Sequence, residues 1–204
     1  MKKIIAVLLV VLCAGILTAQ NEGGNNVSEQ KAGPPKPLSE WTFFQLGFFP
    51  GVPGSTDYSN VYGMKLGAPM VSGYGRVYGI EPSIFYSGTD YVKGIQASWF
   101  GPAIGKNIEG LHASCVTCIA DEVTGIEGSV VNVTDNFVGL QAGAVNVTKD
   151  STGLQLGAVN YSKYTAGLQF GAINYSCEGS CQLGFINIIE DGLLPFMILF
   201  NVSF

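Results

Sequence analysis

Gly139-Leu140-Gln141-Ala142-Gly143-Ala144-Val145-Asn146 returns as Gly153-Leu154-Gln155-Leu156-Gly157-Ala158-Val159-Asn160, and again as Gly167-Leu168-Gln169-Phe170-Gly171-Ala172-Ile173-Asn174. Self-similarity at a fixed short period marks a chain built from stacked or paired copies of one unit. Working outward, the same opening glycine recurs at Gly63, Gly79, Gly94, Gly110 and Gly125, with a degenerate ninth copy at Ser180. The spacings from first to last copy are 16, 15, 16, 15, 14, 14, 14 and 13 residues.

One position after each opening residue is apolar: Met64, Ile80, Ile95, Leu111, Ile126, Leu140, Leu154 and Leu168, with Cys181 in the ninth copy. The next position is polar throughout: Lys65, Glu81, Gln96, His112, Glu127, Gln141, Gln155, Gln169 and Gln182. Four positions after the opening residue only Gly or Ser occurs, from Gly67 and Ser83 to Gly171 and Gly184. Alternation with a period of two is the signature of a β-strand with two unlike faces. Here one face is small and polar, and the other, carrying Leu154, Leu156 and Ala158, is apolar.

Charge places the turns. Between Gly125 and Ser176 the charged residues are Glu127, Asp135, Lys149, Asp150 and Lys163. Glu127 sits in the polar column, whereas the others fall within Thr134-Asp135-Asn136, Thr148-Lys149-Asp150-Ser151 and Ser162-Lys163-Tyr164, which have turn composition. A strand of about ten residues alternating with a short turn is therefore expected.

Two all-β architectures satisfy this pattern. In the first, the strands form an antiparallel meander that closes into a β-barrel, leaving no exposed edges. A membrane-crossing strand needs about 9 to 11 residues, with its apolar face to lipid and its small polar face to the lumen. Phe196, Ile198, Phe200, Val202 and Phe204 alternate along the end of the chain, which looks like the terminal strand of a bacterial outer-membrane barrel. Counting Trp41 to Phe49, the nine copies and this end predicts about eleven strands. In the alternative, each copy winds once around a β-solenoid and stacks its Gln and Asn into ladders. Uniformly short connections and identical copies favour the solenoid, but a period of about fourteen residues leaves little chain for a second sheet. The barrel is the expected architecture and the solenoid the alternative.

The N-terminus carries Lys2 and Lys3, an apolar run from Ile4 to Leu17, then Leu17-Thr18-Ala19 ahead of Gln20. This is the layout of a secretory signal peptide over residues 1–19, too short to cross a bilayer as an anchor. Cys13 raises lipidation as a second reading, against which stand the bulky Leu12 and its place within the apolar run. Residues 20–40, with Pro34, Pro35 and Pro37, bury little apolar surface and are expected to be a disordered tether. The β-repeat domain then spans 41–204. The chain has 28 glycines in 204 residues and only 12% charged residues, which argues against a helical bundle. Its formal net charge of -5 becomes -7 without Lys2 and Lys3, so the electrostatic footprint for DNA or RNA is missing.

The repeated Gly-Leu-Gln-x-Gly-x-x-Asn units, the opening Phe44-Gln45-Leu46-Gly47-Phe48-Phe49-Pro50, the paired Val61-Tyr62-Gly63 and Val77-Tyr78-Gly79, and the ending Leu194-Pro195-Phe196 resemble a surface-repeat family of uncharacterised exported proteins of diderm bacteria. The resemblance covers about residues 41 to 204. It implies a place in the cell envelope, at the outer membrane or cell surface, and implies no enzymatic activity or ligand. Pro69, Pro82 and Pro102 break the pattern in the early copies, whose strands are expected to be bent or at an edge.

Candidate chemistry is sparse. Cys115, Cys118, Cys177 and Cys181 are candidate disulfide residues in an exported chain. Free thiols or a four-thiolate zinc site are the weaker readings, and the spacing between the two pairs is unlike a zinc ribbon. His112, Glu81 and Glu127 share the polar column and are read as polar-face residues rather than as a catalytic base or an acid pair. Asn26, Asn132, Asn146, Asn160, Asn174 and Asn201 match N-x-[ST], but the repeat itself explains most of them, and no sugars are expected. Tyr161, Tyr164 and Tyr175 lie near turns, as an interfacial girdle or strand packing would place them. No phosphate loop, dinucleotide fingerprint or His-Glu metal motif occurs, so no catalytic residue, cofactor or metal is expected. The sequence thus leads to a non-enzymatic envelope protein with outer-membrane lipid as its expected partner. The alternative is a secreted or surface-anchored solenoid acting as a binding or adhesion module with an exposed Gln and Asn ladder.

Overall fold

A glycine ladder sets the register. In the computed structural model, which describes residues 41–203, Gly63 pairs with Gly79, Gly79 with Gly94, Gly94 with Gly110, and so on through Gly125, Gly139 and Gly153 to Gly167. Like positions of consecutive copies therefore stand side by side, which only parallel strands allow. The first ten strands are β1 (Trp41–Gly47), β2 (Asn60–Gly67), β3 (Met70–Ser83), β4 (Tyr86–Ser98), β5 (Ala103–Ser114), β6 (Thr117–Gly128), β7 (Val131–Ala142), β8 (Val145–Leu156), β9 (Val159–Glu178) and β10 (Ser180–Ile189). Each pairs in parallel with the next, and β11 (Phe196–Ser203) closes the series antiparallel to β10. One short helix, α1 (Ser55–Tyr58), lies between β1 and β2.

The expected strand count is met, but the expected barrel is not: β1 to β10 pair in parallel and β11 does not return to pair with β1, so the architecture is the solenoid alternative. Parallel neighbours cannot be joined by a tight hairpin, so each copy must travel a full circuit before the next begins. The circuit has corners of two kinds. At the first, Asp135 and Lys149 drop out of a pairing that resumes with Asn136 and Asp150. The charged segments read as turns between antiparallel strands are thus bends within one coil. At the second, between β7 and β8, the amides of Ala144 and Val145 both donate to Val130 O of the coil below. Ala158 and Val159 repeat this on Ala144 O, and Ala172 and Ile173 on Ala158 O.

The glycine at each opening is required by the close stacking. Gly139 has φ +134°, and a Cβ there would lie 1.9 Å from Gly125 O. Prolines fit without creating edges. Pro69 and Pro102 lie in connections, and Pro82 pairs with Ala97 within β3, which has neighbours on both sides. The N-terminal end is plugged by α1, whose Ser55 carbonyl and following Ser59 hydroxyl accept from Gln45 Nε2 at 3.0 and 2.8 Å. The export signal and the tether expected for residues 1–40 lie outside the described residues.

Candidate functional site

The polar column points inward. Lys65, Glu81, Gln96, His112, Glu127, Gln141, Gln155, Gln169 and Gln182 are all wholly buried. They do not form the exposed recognition ladder expected of the solenoid alternative, and the parallel, unclosed sheet has no barrel lumen for them to line. Because the coil is narrow, each inward carboxamide reaches its counterpart in the next coil. Gln182 Nε2 donates to Gln169 Oε1, Gln169 to Gln155, and Gln155 to Gln141, at 2.7–2.8 Å. Gln141 Nε2 donates in turn to Glu127 Oε2 at 2.7 Å, where the Thr134 hydroxyl also donates at 2.7 Å. Glu127 is thus the accepting end of the glutamine ladder.

A second ladder runs along the arm that faces the first. Asn132 Nδ2 donates to Asn146 Oδ1, Asn146 to Asn160, Asn160 to Asn174 and Asn174 to Asn187, at 2.7–2.8 Å. Each of these asparagines also closes its own coil, as when Asn146 Nδ2 donates to Leu156 O at 2.9 Å. The four repeat asparagines with the N-x-[ST] pattern therefore spend their amides inside the solenoid. Buried amides cost several kcal/mol if unpaired, but paired in continuous rows they rigidify the interior.

A third column escaped the sequence reading. Val61, Val77, Val92, Ile108, Val123 and Phe137, two positions before the opening glycine, form the apolar core together with Ala120. Burial of each larger side chain stabilises by roughly 1.5–3 kcal/mol. The column turns polar at Ser151 and Thr165, which are also buried. That switch hid its periodicity.

Lys65 and Glu81 are held by partners within the coil, and of their polar atoms only Glu81 Oε2 is buried without one. Lys65 Nζ donates to Thr56 O, Ser72 O and Thr89 Oγ1 at 3.1, 2.8 and 2.8 Å, and burial lowers its pKa. Glu81 Oε1 accepts from the Ser87 hydroxyl, the Gln96 amide and the Thr89 backbone N–H. Glu81 and Glu127 belong to separate hydrogen-bond networks inside the coil and do not face each other across an open cleft, which is the arrangement hydrolysis by an acid pair requires.

His112 and Glu127 are joined: His112 Nδ1 lies 3.2 Å from Glu127 Oε1, with both side chains wholly buried. Cys118 completes a trio whose ligating atoms all lie within 4.8 Å of one another. Its thiol is pushed well above the ordinary thiol range, first by burial and then by Glu127. His112 Nε2 has no hydrogen-bond partner. The four candidate disulfide residues, Cys115, Cys118, Cys177 and Cys181, are unbonded to one another in this structure. Cys115 is exposed at a corner while Cys118 points into the coil, so the C-x2-C pair diverges.

No protein-family model matches this sequence, and comparison with curated proteins and with solved structures likewise finds no match. The chemistry of the site must be read from its own residues.

What the interior takes up in polar groups, the exterior returns in apolar ones. The corners that follow β3 to β6 carry Ile84 and Phe85, Trp99 and Phe100, Val116, then Val130, all substantially exposed. Trp99 and Phe100 are 69% and 66% exposed, far beyond what core packing would leave. Aromatic rings also stack along the outside, Tyr62 on Tyr78 and Tyr161 on Tyr175, each with centroids 4.9 Å apart. Charge on this exterior is confined largely to the other corner, where Lys149 meets Asp135 at 2.9 Å and Lys106 meets Asp90 at 2.7 Å.

Proposed function

We propose that this chain is a non-enzymatic, exported β-solenoid of the diderm cell envelope. It acts as a binding module that holds to outer-membrane lipid by its apolar exterior. The observation that carries the reading is the exposed column Ile84, Phe85, Trp99, Phe100, Val116 and Val130. Successive coils repeat an apolar group about every 4.8 Å, so the corner is a continuous stripe rather than scattered single residues. Contiguous exposed apolar surface marks an interaction site, and Trp favours the interface between headgroups and acyl chains. The resemblance to exported surface-repeat proteins and the signal-like residues 1–19 support the same location.

A non-enzymatic role is supported by the spending of polar side chains on one another inside the coil. A net charge of -5 gives no attraction for anionic headgroups, so the association is hydrophobic and insensitive to salt. Flotation of the purified chain with phosphatidylethanolamine–phosphatidylglycerol vesicles tests this. The chain rises with the vesicles at low and high salt, and the double variant Trp99→Ser/Phe100→Ser remains at the bottom of the gradient. A wild-type chain that stays at the bottom would exclude lipid as the partner.

A further inference from the structure

Two columns of the solenoid depart from their own consensus at neighbouring places. Where later copies carry Gln141, Gln155 and Gln169, the middle of the chain has His112 and Glu127. Where they carry Asn132, which pairs with it in register, it has Cys118. The departures converge, because the ligating atoms of His112, Cys118 and Glu127 lie within 4.8 Å of one another and all three side chains are buried.

The hydrogen bonding around the trio is incomplete in a specific way. Glu127 already accepts from Gln141 Nε2 and Thr134 Oγ1, and its Oε1 lies 3.2 Å from His112 Nδ1. An ion seated between Nδ1 and Oε1 would take the place of a proton there; the other ring nitrogen is Nε2. That atom is buried and has no partner. A buried polar atom without a partner costs about 1–3 kcal/mol, and all the glutamines from Gln141 to Gln182 give their Nε2 a partner. Imidazole, thiol and carboxylate together form the donor set of a borderline-soft divalent ion, zinc above all.

We propose that His112, Cys118 and Glu127 form a buried structural site for a zinc-type divalent cation, which closes the glutamine ladder at its accepting end. On binding, a bond forms between the metal and Cys118 Sγ, the S–H bond breaks, and the proton leaves to solvent. No redox change occurs. Because the trio is inside the coil, the ion enters as the coils stack, and it ties β5 to β6 through His112 and Glu127, which are paired in register. The consensus residues at these positions provide conservative replacements that retain the ladder.

The experiment uses the full chain with Cys13, Cys115, Cys177 and Cys181 changed to Ser, so that Cys118 is its one thiol, refolded with Co²⁺ and separately with Zn²⁺. The expected result is one bound equivalent and, with cobalt, a near-ultraviolet thiolate-to-metal charge-transfer band. His112→Gln in the same background abolishes both while keeping the β-sheet circular dichroism spectrum. A folded single-thiol chain that binds no metal, or binds cobalt without the thiolate band, overturns the proposal. Binding that survives His112→Gln at full stoichiometry overturns it as well.

Discussion

Gln155 Nε2 donates to Gln141 Oε1 at 2.8 Å inside the solenoid, while Leu154, the residue beside Gln155, lies on the opposite face of the same strand. The usual sense of polar and apolar is thus inverted in the coil, and the inversion is measurable. Gln155→Leu leaves Gln141 Oε1 without a partner and Gln169 Nε2 with only the Tyr175 carbonyl, at a cost of roughly 2–4 kcal/mol. Leu154→Gln on the outside should cost less than about 1 kcal/mol. Urea denaturation of the two variants is expected to give that order, although hydropathy alone predicts the opposite.

Gly139 and Gly54 separate glycines that stacking demands from glycines it does not. Gly139→Ala places a methyl group 1.9 Å from Gly125 O at φ +134° and is expected to destabilise by more than about 2 kcal/mol. Gly54 has φ -59° and open space around it, so Gly54→Ala should stay within about 1 kcal/mol of wild type. Thermal unfolding of both variants checks the contrast.

Cys118 couples stability to alkaline pH. Its folded pKa is raised by burial, so the folded chain retains a proton that the unfolded chain releases near 9.0. The stabilisation is therefore fully present below that pH and is lost as pH rises above it. In chelator-treated protein, the stability of Cys118→Ser relative to wild type should rise between pH 8 and pH 10.5. A constant difference across that range would contradict the burial of this thiol.

Trp99 should report the interaction surface directly. In a Trp41→Phe background its emission is expected near that of water-exposed indole, since the ring is 69% exposed, and should shift to the blue on adding phospholipid vesicles. Unshifted emission at saturating lipid would separate Trp99 from any membrane contact.

Much of this architecture was legible in the glycine spacing and the period-two alternation, which gave the strand count, the two-faced strands and the columns. Which neighbour a strand chooses was not. Alternation is the same for parallel and antiparallel pairing, and the charges at Asp135 and Lys149 suit a hairpin turn as well as a bend within one coil. Nor does alternation say which face is inside. The Gln and Asn faces turn inward because each amide finds its copy one coil away, a relation between coils that no single strand displays. His112 and Cys118 lie six positions apart in different columns and meet only through the corner after β5. Their convergence could be suspected only from their departure from the repeat.

The most direct test of the stacked-coil account is the distance between spin labels on cysteines placed at Val133 and Val147, register partners on neighbouring strands. Cys13, Cys115, Cys118, Cys177 and Cys181 are replaced by Ser for this measurement. Parallel coils put the two backbone positions about 4.8 Å apart, so the account predicts strong dipolar broadening of the doubly labelled spectrum. An antiparallel meander turning at Asp135 and Lys149 would put them at opposite ends of a strand, about 30 Å apart, and a spectrum without broadening would contradict the solenoid.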